Sequence, residues 1–318
     1  MSPTIFLLLG FIFLFFGGDL LVKGSVSLAL RMKISTLVVG MTVVAFATSA
    51  PELFVSLQAV FDGSSNIALG NSIGSNIANI ALVLGCTAVI FRVKISKHIL
   101  HLSYPMMLFA SFLFGLVLYF FKGIPVIIGL LFVVLLLVFV WALILNSRRD
   151  QIKVEINDKK TLENASNDSL LRSIFVLLLG VVLLKYGADF LVYSTKNLAK
   201  SFGVSDRVIA VTIVAIGTSL PELATSIVAA LKREENLAVG NLIGSNLFNI
   251  LAVLGITASL KAINIDDQAI FSFDYLWMMF ITLLFGFFIY VFSKKEISRK
   301  EGFILLLIYM LYLYKTLV

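Results

Sequence analysis

Residues 70–88 read GNSIGSNIANIALVLGCTA and residues 240–258 read GNLIGSNLFNILAVLGITA, identical at 13 of 19 positions without a gap. Each copy sets three asparagines at the same places in an otherwise greasy run. The same offset of 170 residues takes Asp19 to Asp189, Thr42 to Thr212, Thr48-Ser49 to Thr218-Ser219 and Pro51-Glu52-Leu53 to Pro221-Glu222-Leu223. The chain is an internal duplication, and the character of each copy decides the fold.

That character is set by hydrophobicity. Of 318 residues, 60% are apolar and 14% charged, against roughly 45–50% and 25% in soluble domains. A bilayer core takes about 20 apolar residues per helix. Ten such stretches are predicted, near 3–22, 34–61, 65–91, 98–121, 124–146, 170–193, 204–231, 236–260, 271–292 and 301–317. They are too long and too evenly apolar for barrel strands, which alternate over about ten residues. The expected fold class is an all-α integral membrane protein with ten transmembrane helices. The first stretch has no basic residue ahead of it and no small-residue cleavage site, so it reads as a retained helix and not a signal peptide.

Each half holds five spans, an odd number, so the second copy must enter the membrane upside down. Inverted repeats of this kind build many secondary transporters, with the site near the midplane where the repeats meet. The first repeat is expected over 1–146 and the second over 170–318. Between them lies the polar linker 147–169, SRRDQIKVEINDKKTLENASNDS, too short for a folded domain. Connections after odd-numbered spans hold 18 of the 25 Lys and Arg residues. The positive-inside rule makes that side cytoplasmic, so the linker faces the cytoplasm and both termini face outward. The net charge of +7 is therefore an orientation signal, and no nucleic-acid partner is implied. Cys86, the only cysteine, allows no intrachain disulfide.

Spans two and seven are each about 28 residues long, more than a bilayer needs. Each is interrupted by a pentad, Thr48-Ser49-Ala50-Pro51-Glu52 or Thr218-Ser219-Leu220-Pro221-Glu222. Proline lacks an N–H and clashes with the carbonyl one turn back, so both helices should break there and free backbone oxygens around Ala47-Thr48 and Gly217-Thr218. Bare backbone at membrane depth must be satisfied by something else, and a cation could do it. Glu52 and Glu222 follow the breaks at mid-span, where a carboxylate costs about 2.5–3.5 kcal/mol on insertion scales and normally marks an ion or proton path. One such glutamate alone could be protonated and merely hydrogen-bonded; a duplicated pair in inverted repeats should converge.

Asn71, Ser75 and Asn79 fall at i, i+4 and i+8, as do Asn241, Ser245 and Asn249, so each trio forms one helix stripe. These side chains either line the same site or serve as interhelical hydrogen-bond glue. The pentads and stripes contain no His or Cys, and oxygen-only sites suit hard cations. Two bidentate glutamates and two freed carbonyls supply six oxygens, within the six to eight that Ca²⁺ takes; Mg²⁺ holds its waters more tightly. Na⁺ could occupy subsites among the same groups.

At these residues the sequence resembles the cation/calcium exchanger superfamily, and within it the prokaryotic sodium/calcium exchangers. The two alpha-repeats of that family are matched by 45–79 and 215–249, through the paired TSxPEL and GNxIGSNxxNI motifs, and the likeness extends over all ten spans. The resemblance implies exchange of one Ca²⁺ for about three Na⁺ by alternating access, through four ion sites in a diamond. It implies a Ca²⁺ site built from Glu52, Glu222 and the carbonyls of Thr48 and Thr218. Flanking Na⁺ sites would use Ala45, Ser49 and Ser75 with Ala215, Ser219 and Ser245, and Asn79 and Asn249 would line the centre. Spans one and six would slide across the other eight. Asn249 stands where some archaeal and potassium-dependent relatives have Asp and animal potassium-independent exchangers have Asn, which argues mildly against K⁺ co-transport and leaves the stoichiometry open.

The expected function is thus a calcium/sodium antiporter of the plasma membrane. No cofactor and no protein partner beyond a monomer is implied; the ions are substrates and the bilayer is the surrounding. Alternatives are an H⁺/Ca²⁺ or other divalent exchanger, or a passive cation channel lined by the same oxygens. An enzyme would need a nucleophile with a base, or a metal with an open position, and neither is positioned in the motifs.

Overall fold

Four basic residues lie in the left-handed backbone region, Lys33 (φ 54°), Lys122 (φ 50°), Arg233 (φ 62°) and Lys295 (φ 82°), the first three of them just past a helix end. A non-glycine residue there costs roughly 1–2 kcal/mol, and a cation beside the bare carbonyls of a helix C-terminus offsets some of that cost. In this computed structural model, residues 3–155, 169–201, 215–265, 267–292 and 295–317 are described. The described chain is a multi-pass helical membrane protein. Its helices are α1 (Pro3–Met32), α2 (Thr36–Thr48), α3 (Ala50–Phe61), α4 (Ser65–Ile90), α5 (Ile99–Phe121), α6 (Val126–Glu155), α7 (Leu170–Ser201), α8 (Ala215–Thr218), α9 (Leu220–Leu231), α10 (Glu235–Leu260), α11 (Ile270–Phe292) and α12 (Arg299–Leu317).

Among the described residues, seven helices are long and apolar enough to cross a bilayer, or eight if α2 and α3, bent by 43°, make one span. α12 has only thirteen uncharged residues between Glu301 and Lys315. The predicted start of span seven, 204–214 with Thr212, and the linker from 156 to 168 lie outside the described residues. α6 runs to Glu155, nine residues into the stretch expected to be linker. α1 and α7 have 30 and 32 residues, or about 45–48 Å, longer than the roughly 30 Å hydrocarbon core. Four two-residue strands depart from a purely helical reading: β1 (Val93–Lys94), β2 (Gly123–Ile124), β3 (Ile263–Asn264) and β4 (Glu296–Ile297).

The chain divides into two compact units that each draw on both sequence halves. The first comprises 1–48, 139–241 and 317; the second 49–138, 242–316 and 318.

In the first unit α1 and α7 pack antiparallel through a seam of small residues. A Cβ on Gly17 would stand 2.7 Å from the Leu184 nitrogen, on Gly180 2.6 Å from that of Leu21, and on Gly24 2.7 Å from that of Leu177. The Ser27 and Ser173 hydroxyls continue the seam at 2.7 Å. Backbones can come this close only without side chains between them. α1 is also tied to the end of α9, where Lys232 Nζ lies 2.5 Å from Asp19 Oδ1 while Lys23 holds Oδ2 at 2.7 Å. Asp19 therefore pairs with Lys23 one turn on and with Lys232 besides. α2 meets the start of α10 reciprocally: a Cβ on Gly40 would stand 2.7 Å from the Leu237 carbonyl oxygen, and one on Gly240 2.6 Å from that of Leu37. A Cβ on Gly70 or Gly74 would meet no described atom within 4 Å. The counterparts of Leu37 and Met41, residues 207 and 211, lie outside the described residues.

The second unit carries a lock between α5 and α11. Tyr104 donates to the Thr282 carbonyl at 3.1 Å and Tyr275 to the Ser111 carbonyl at 3.3 Å. Each hydroxyl passes over a glycine, Gly286 for Tyr104 and Gly115 for Tyr275, where any Cβ would collide with the phenol. Both halves of the lock are related by 171 residues, so the duplication extends into packing contacts. The strands repeat the pattern: β1 pairs antiparallel with β4, and β2 with β3. Phe114 and Phe285 fill the space between α5 and α11, both at 0% exposure. At the start of α12 the Glu301 carboxylate accepts from the Ser298 N–H at 2.6 Å, one half of a capping box.

Candidate ion-binding site

Each pentad contains one serine outside helical geometry. Ser49 (φ −86°, ψ 3°) separates α2 from α3, and Ser219 (φ −89°, ψ 2°) separates α8 from α9. Pro51 and Pro221 follow in the first turns of α3 and α9, a position that tolerates a missing N–H. Neither proline can donate to the carbonyl four residues back, Ala47 or Gly217.

In the second unit, Glu52 sits in the first turn of α3 at 1% exposure. Neither of its carboxylate oxygens has a hydrogen-bond partner of ordinary geometry, although the Ser75 hydroxyl of α4 lies close enough to favour its charged form. A buried carboxylate left bare costs several kcal/mol unless it gains a proton or a cation. α3 packs against α4 and against the 249–254 turn of α10. The α4 contact is fixed by Asn71, whose Nδ2 donates to the Glu52 carbonyl and to Ser56 Oγ, each at 3.2 Å. Asn71 is thus interhelical glue. Ser75, Asn79, Ser245 and Asn249 are all buried. Neither amide atom of Asn79 has a partner, nor do Asn249 Oδ1 and Ser49 Oγ.

Asn79 and Asn249 also open matching π-type turns, Asn79–Leu84 and Asn249–Leu254. Such a turn inserts one residue into the helix and re-aims the side chains before it, a frequent device at functional sites. Another π turn, Gly40–Val44, ends where Ala45 begins.

In the first unit, Glu222 occupies the first turn of α9 at 1% exposure, with Ser219 buried before it and without a partner for its hydroxyl. Thr218 is half-buried at the end of α8, which Ala215 opens. α9 packs against 45–48 at the end of α2. There Ala45 is buried and Thr48 Oγ1 donates to Asn241 Oδ1 at 3.3 Å. The twelve candidates therefore fall six to each unit, one glutamate in each, and each set mixes the two sequence repeats. Among the described residues no three His, Cys, Asp or Glu side chains cluster; each unit's candidate donors are one carboxylate with neutral oxygens.

Two features escaped the sequence reading. Asn76 and Asn246 are buried alongside the stripe asparagines, and their identity in both copies was the available signal. The glycines at 10, 17 and 24, and at 180 and 187, recur every seven residues, a helix-seam period that the overall greasiness concealed.

A family model described as "Sodium/calcium exchanger protein" matches residues 2–145 and 172–318. The chain belongs to the sodium/calcium exchanger family. The unmatched gap between the two stretches falls on the polar linker. The chain is similar to the sodium/calcium exchanger MaX1 of Methanosarcina acetivorans, 31% identical over 339 residues, covering 96% of each protein. It is also similar to the inner membrane protein YrbG of Escherichia coli, 34% identical over 287 residues, covering 89% of this chain and 87% of that one. Among solved structures, the exchanger NCX_Mj soaked with Na⁺ and Ca²⁺ superposes with TM-score 0.82 at 28% identity, over 99% of both chains. The same protein without Na⁺ or Ca²⁺ matches with TM-score 0.83 over 98% of both.

Proposed function

We propose that this exchanger is a secondary antiporter that moves Ca²⁺ against Na⁺ across the plasma membrane. The observation that carries the reading is Glu52, a fully buried carboxylate in the first turn of α3, whose two oxygens have no hydrogen-bond partner of ordinary geometry. Its duplicate, Glu222, has the same place in α9 and the same burial. A divalent cation neutralises two such carboxylates in full, and oxygen ligands at this number suit Ca²⁺. Membership of the family and the likeness to MaX1 and NCX_Mj support Na⁺ as the counter-ion.

The Ca²⁺ ligands in this reading are the Glu52 and Glu222 carboxylates and the Thr48 and Thr218 carbonyls. Na⁺ is held by Ala45, Ser49 and Ser75 and by Ala215, Ser219 and Ser245, with Asn79 and Asn249 lining the centre. About three Na⁺ exchange for one Ca²⁺. The chassis is ten spans in two inverted five-helix repeats, 1–146 and 170–318, which alternate access with termini outside. Supporting that parity, β1 and β4 lie in connections after odd spans and pair with each other, and β2 and β3 lie in connections after even spans and do likewise.

The test is ⁴⁵Ca²⁺ uptake into Na⁺-loaded proteoliposomes. Uptake is expected to follow the outward Na⁺ gradient and to vanish when Na⁺ is replaced by choline. Uptake that ignores the Na⁺ gradient but follows a pH gradient would assign H⁺ coupling. Flux needing no counter-ion at all would assign a channel.

A further inference from the structure

Asn76 lies between two candidate ligands, Ser75 and Asn79, yet the ion chemistry above leaves it without a role. It is 2% exposed, and its carboxamide is bonded at both ends. Nδ2 donates to Met278 Sδ of α11 at 3.6 Å, and Oδ1 accepts from Asn249 Nδ2 of α10 at 3.2 Å. A thioether can accept but not donate, so the amide of Asn76 has to face Met278. Its oxygen is thereby aimed at Asn249, and Asn249 must answer with its own NH₂. The consequence is that Asn249 Oδ1 points away from Asn76, and it is buried without a hydrogen-bond partner.

The other copy is built differently. Asn246, the duplicate of Asn76, donates to the Leu242 carbonyl one turn back in its own helix. Asn79, the duplicate of Asn249, has neither amide atom bonded. One central asparagine is locked and the other is not, although the two motifs are nearly identical in sequence.

We propose that Asn76, anchored by Met278, is a positioning residue that locks the Asn249 carboxamide with its oxygen presented to the transported cation. A cation accepts the oxygen of an amide and is repelled by its NH₂, so a freely turning side chain offers the wrong group for a fraction of the time. Fixing a ligand through an outer hydrogen bond is a recurrent way to raise affinity. The inference rests on Asn249 being an ion ligand.

Two measurements test it. In proteoliposomes, Asn76→Leu is expected to raise half-saturating Ca²⁺ about tenfold, the order of one lost orienting hydrogen bond, with maximal rate within about twofold. Because Asn76 acts through Asn249, the Asn76→Leu/Asn249→Leu double variant is expected to be no weaker than Asn249→Leu alone. Effects that multiply, or a wild-type half-saturation in Asn76→Leu, would overturn the proposal. Should Asn76→Leu not fold, Met278→Leu removes only the anchor and conserves volume; it is expected to weaken Ca²⁺ about threefold and to show the same coupling, and a neutral Met278→Leu would overturn the proposal. As a control, Asn246→Leu and Asn79→Leu are expected to act independently. The second measurement needs no transport: with ¹⁵N-asparagine labelling, the Asn249 side-chain amide protons are expected to exchange slowly in the wild type and fast in Met278→Leu and Asn76→Leu. Unchanged exchange sinks the lock. A wild-type protein without Na⁺-dependent flux sinks the ion reading and leaves this arm to decide the geometry.

Discussion

Glu52 is a carboxylate that the protein itself does not satisfy, and this sets the sign of two effects. Without Ca²⁺, Glu52→Gln removes a buried charge and is expected to leave the detergent-solubilised protein as stable as wild type or more so. With Ca²⁺ at a hundred times its dissociation constant, wild type is expected to gain about 2.7 kcal/mol and the variant nothing. Thermal unfolding with and without Ca²⁺ reads both; a Ca²⁺-induced rise in Glu52→Gln equal to that of wild type would exclude the carboxylate as a ligand. Much of this site was legible in the sequence, because Pro, Glu and Asn are costly inside a membrane and a duplication repeats each at a fixed offset. What the stripe concealed is that Asn71 serves α3 by bonding the Glu52 carbonyl, whereas Asn249 is held by a neighbour one residue off the stripe. Periodicity assigns residues to a face but does not say which amide atom faces what.

Helix boundaries followed from hydrophobic length and from Pro51 and Pro221, and α4, α5, α10 and α11 begin and end within about two residues of their expected spans. The packing between elements was not legible, because a lipid-facing leucine and a core leucine look alike in sequence. Gly115 shows the consequence. Its missing Cβ is what admits the Tyr275 phenol that bonds the Ser111 carbonyl. Gly115→Ala is therefore expected to destabilise the protein by about 1–3 kcal/mol, the usual cost of overpacking. Gly63→Ala, at a position with no atom within 4 Å but a φ of 83°, is expected to act only through backbone strain, about 1–2 kcal/mol. Chemical denaturation in detergent compares them; a tolerated Gly115→Ala would show that the lock gives way. A similar close approach runs along α1 and α7, where Gly17→Leu would have to push the facing backbones apart.

For the molecule as a whole, the paired strands constrain topology more tightly than hydropathy does. Connections that share a two-stranded ladder must share a side of the membrane, whichever way up the chain lies. In a Cys86→Ser background, a cysteine at Lys94 in β1 and one at Lys295 beside β4 are expected to react with impermeant thiol reagents from the cytoplasmic side. One at Lys122 beside β2 is expected to react only from outside. Labelling of all three from one side would rule out the inverted arrangement, and reversed sidedness would overturn the orientation read from the basic residues. The number of spans was only partly legible, because α12 carries charge near both ends and the start of span seven lies outside the described residues.

The central claim is that one acidic side chain from each repeat holds the same divalent ion. Equilibrium dialysis with ⁴⁵Ca²⁺ on the purified full chain tests it most directly, comparing wild type with Glu52→Gln and Glu222→Gln at matched folding. The predicted result is one Ca²⁺ per wild-type chain, displaced by Na⁺, and none on either variant. Wild-type Ca²⁺ binding by either single variant would contradict it.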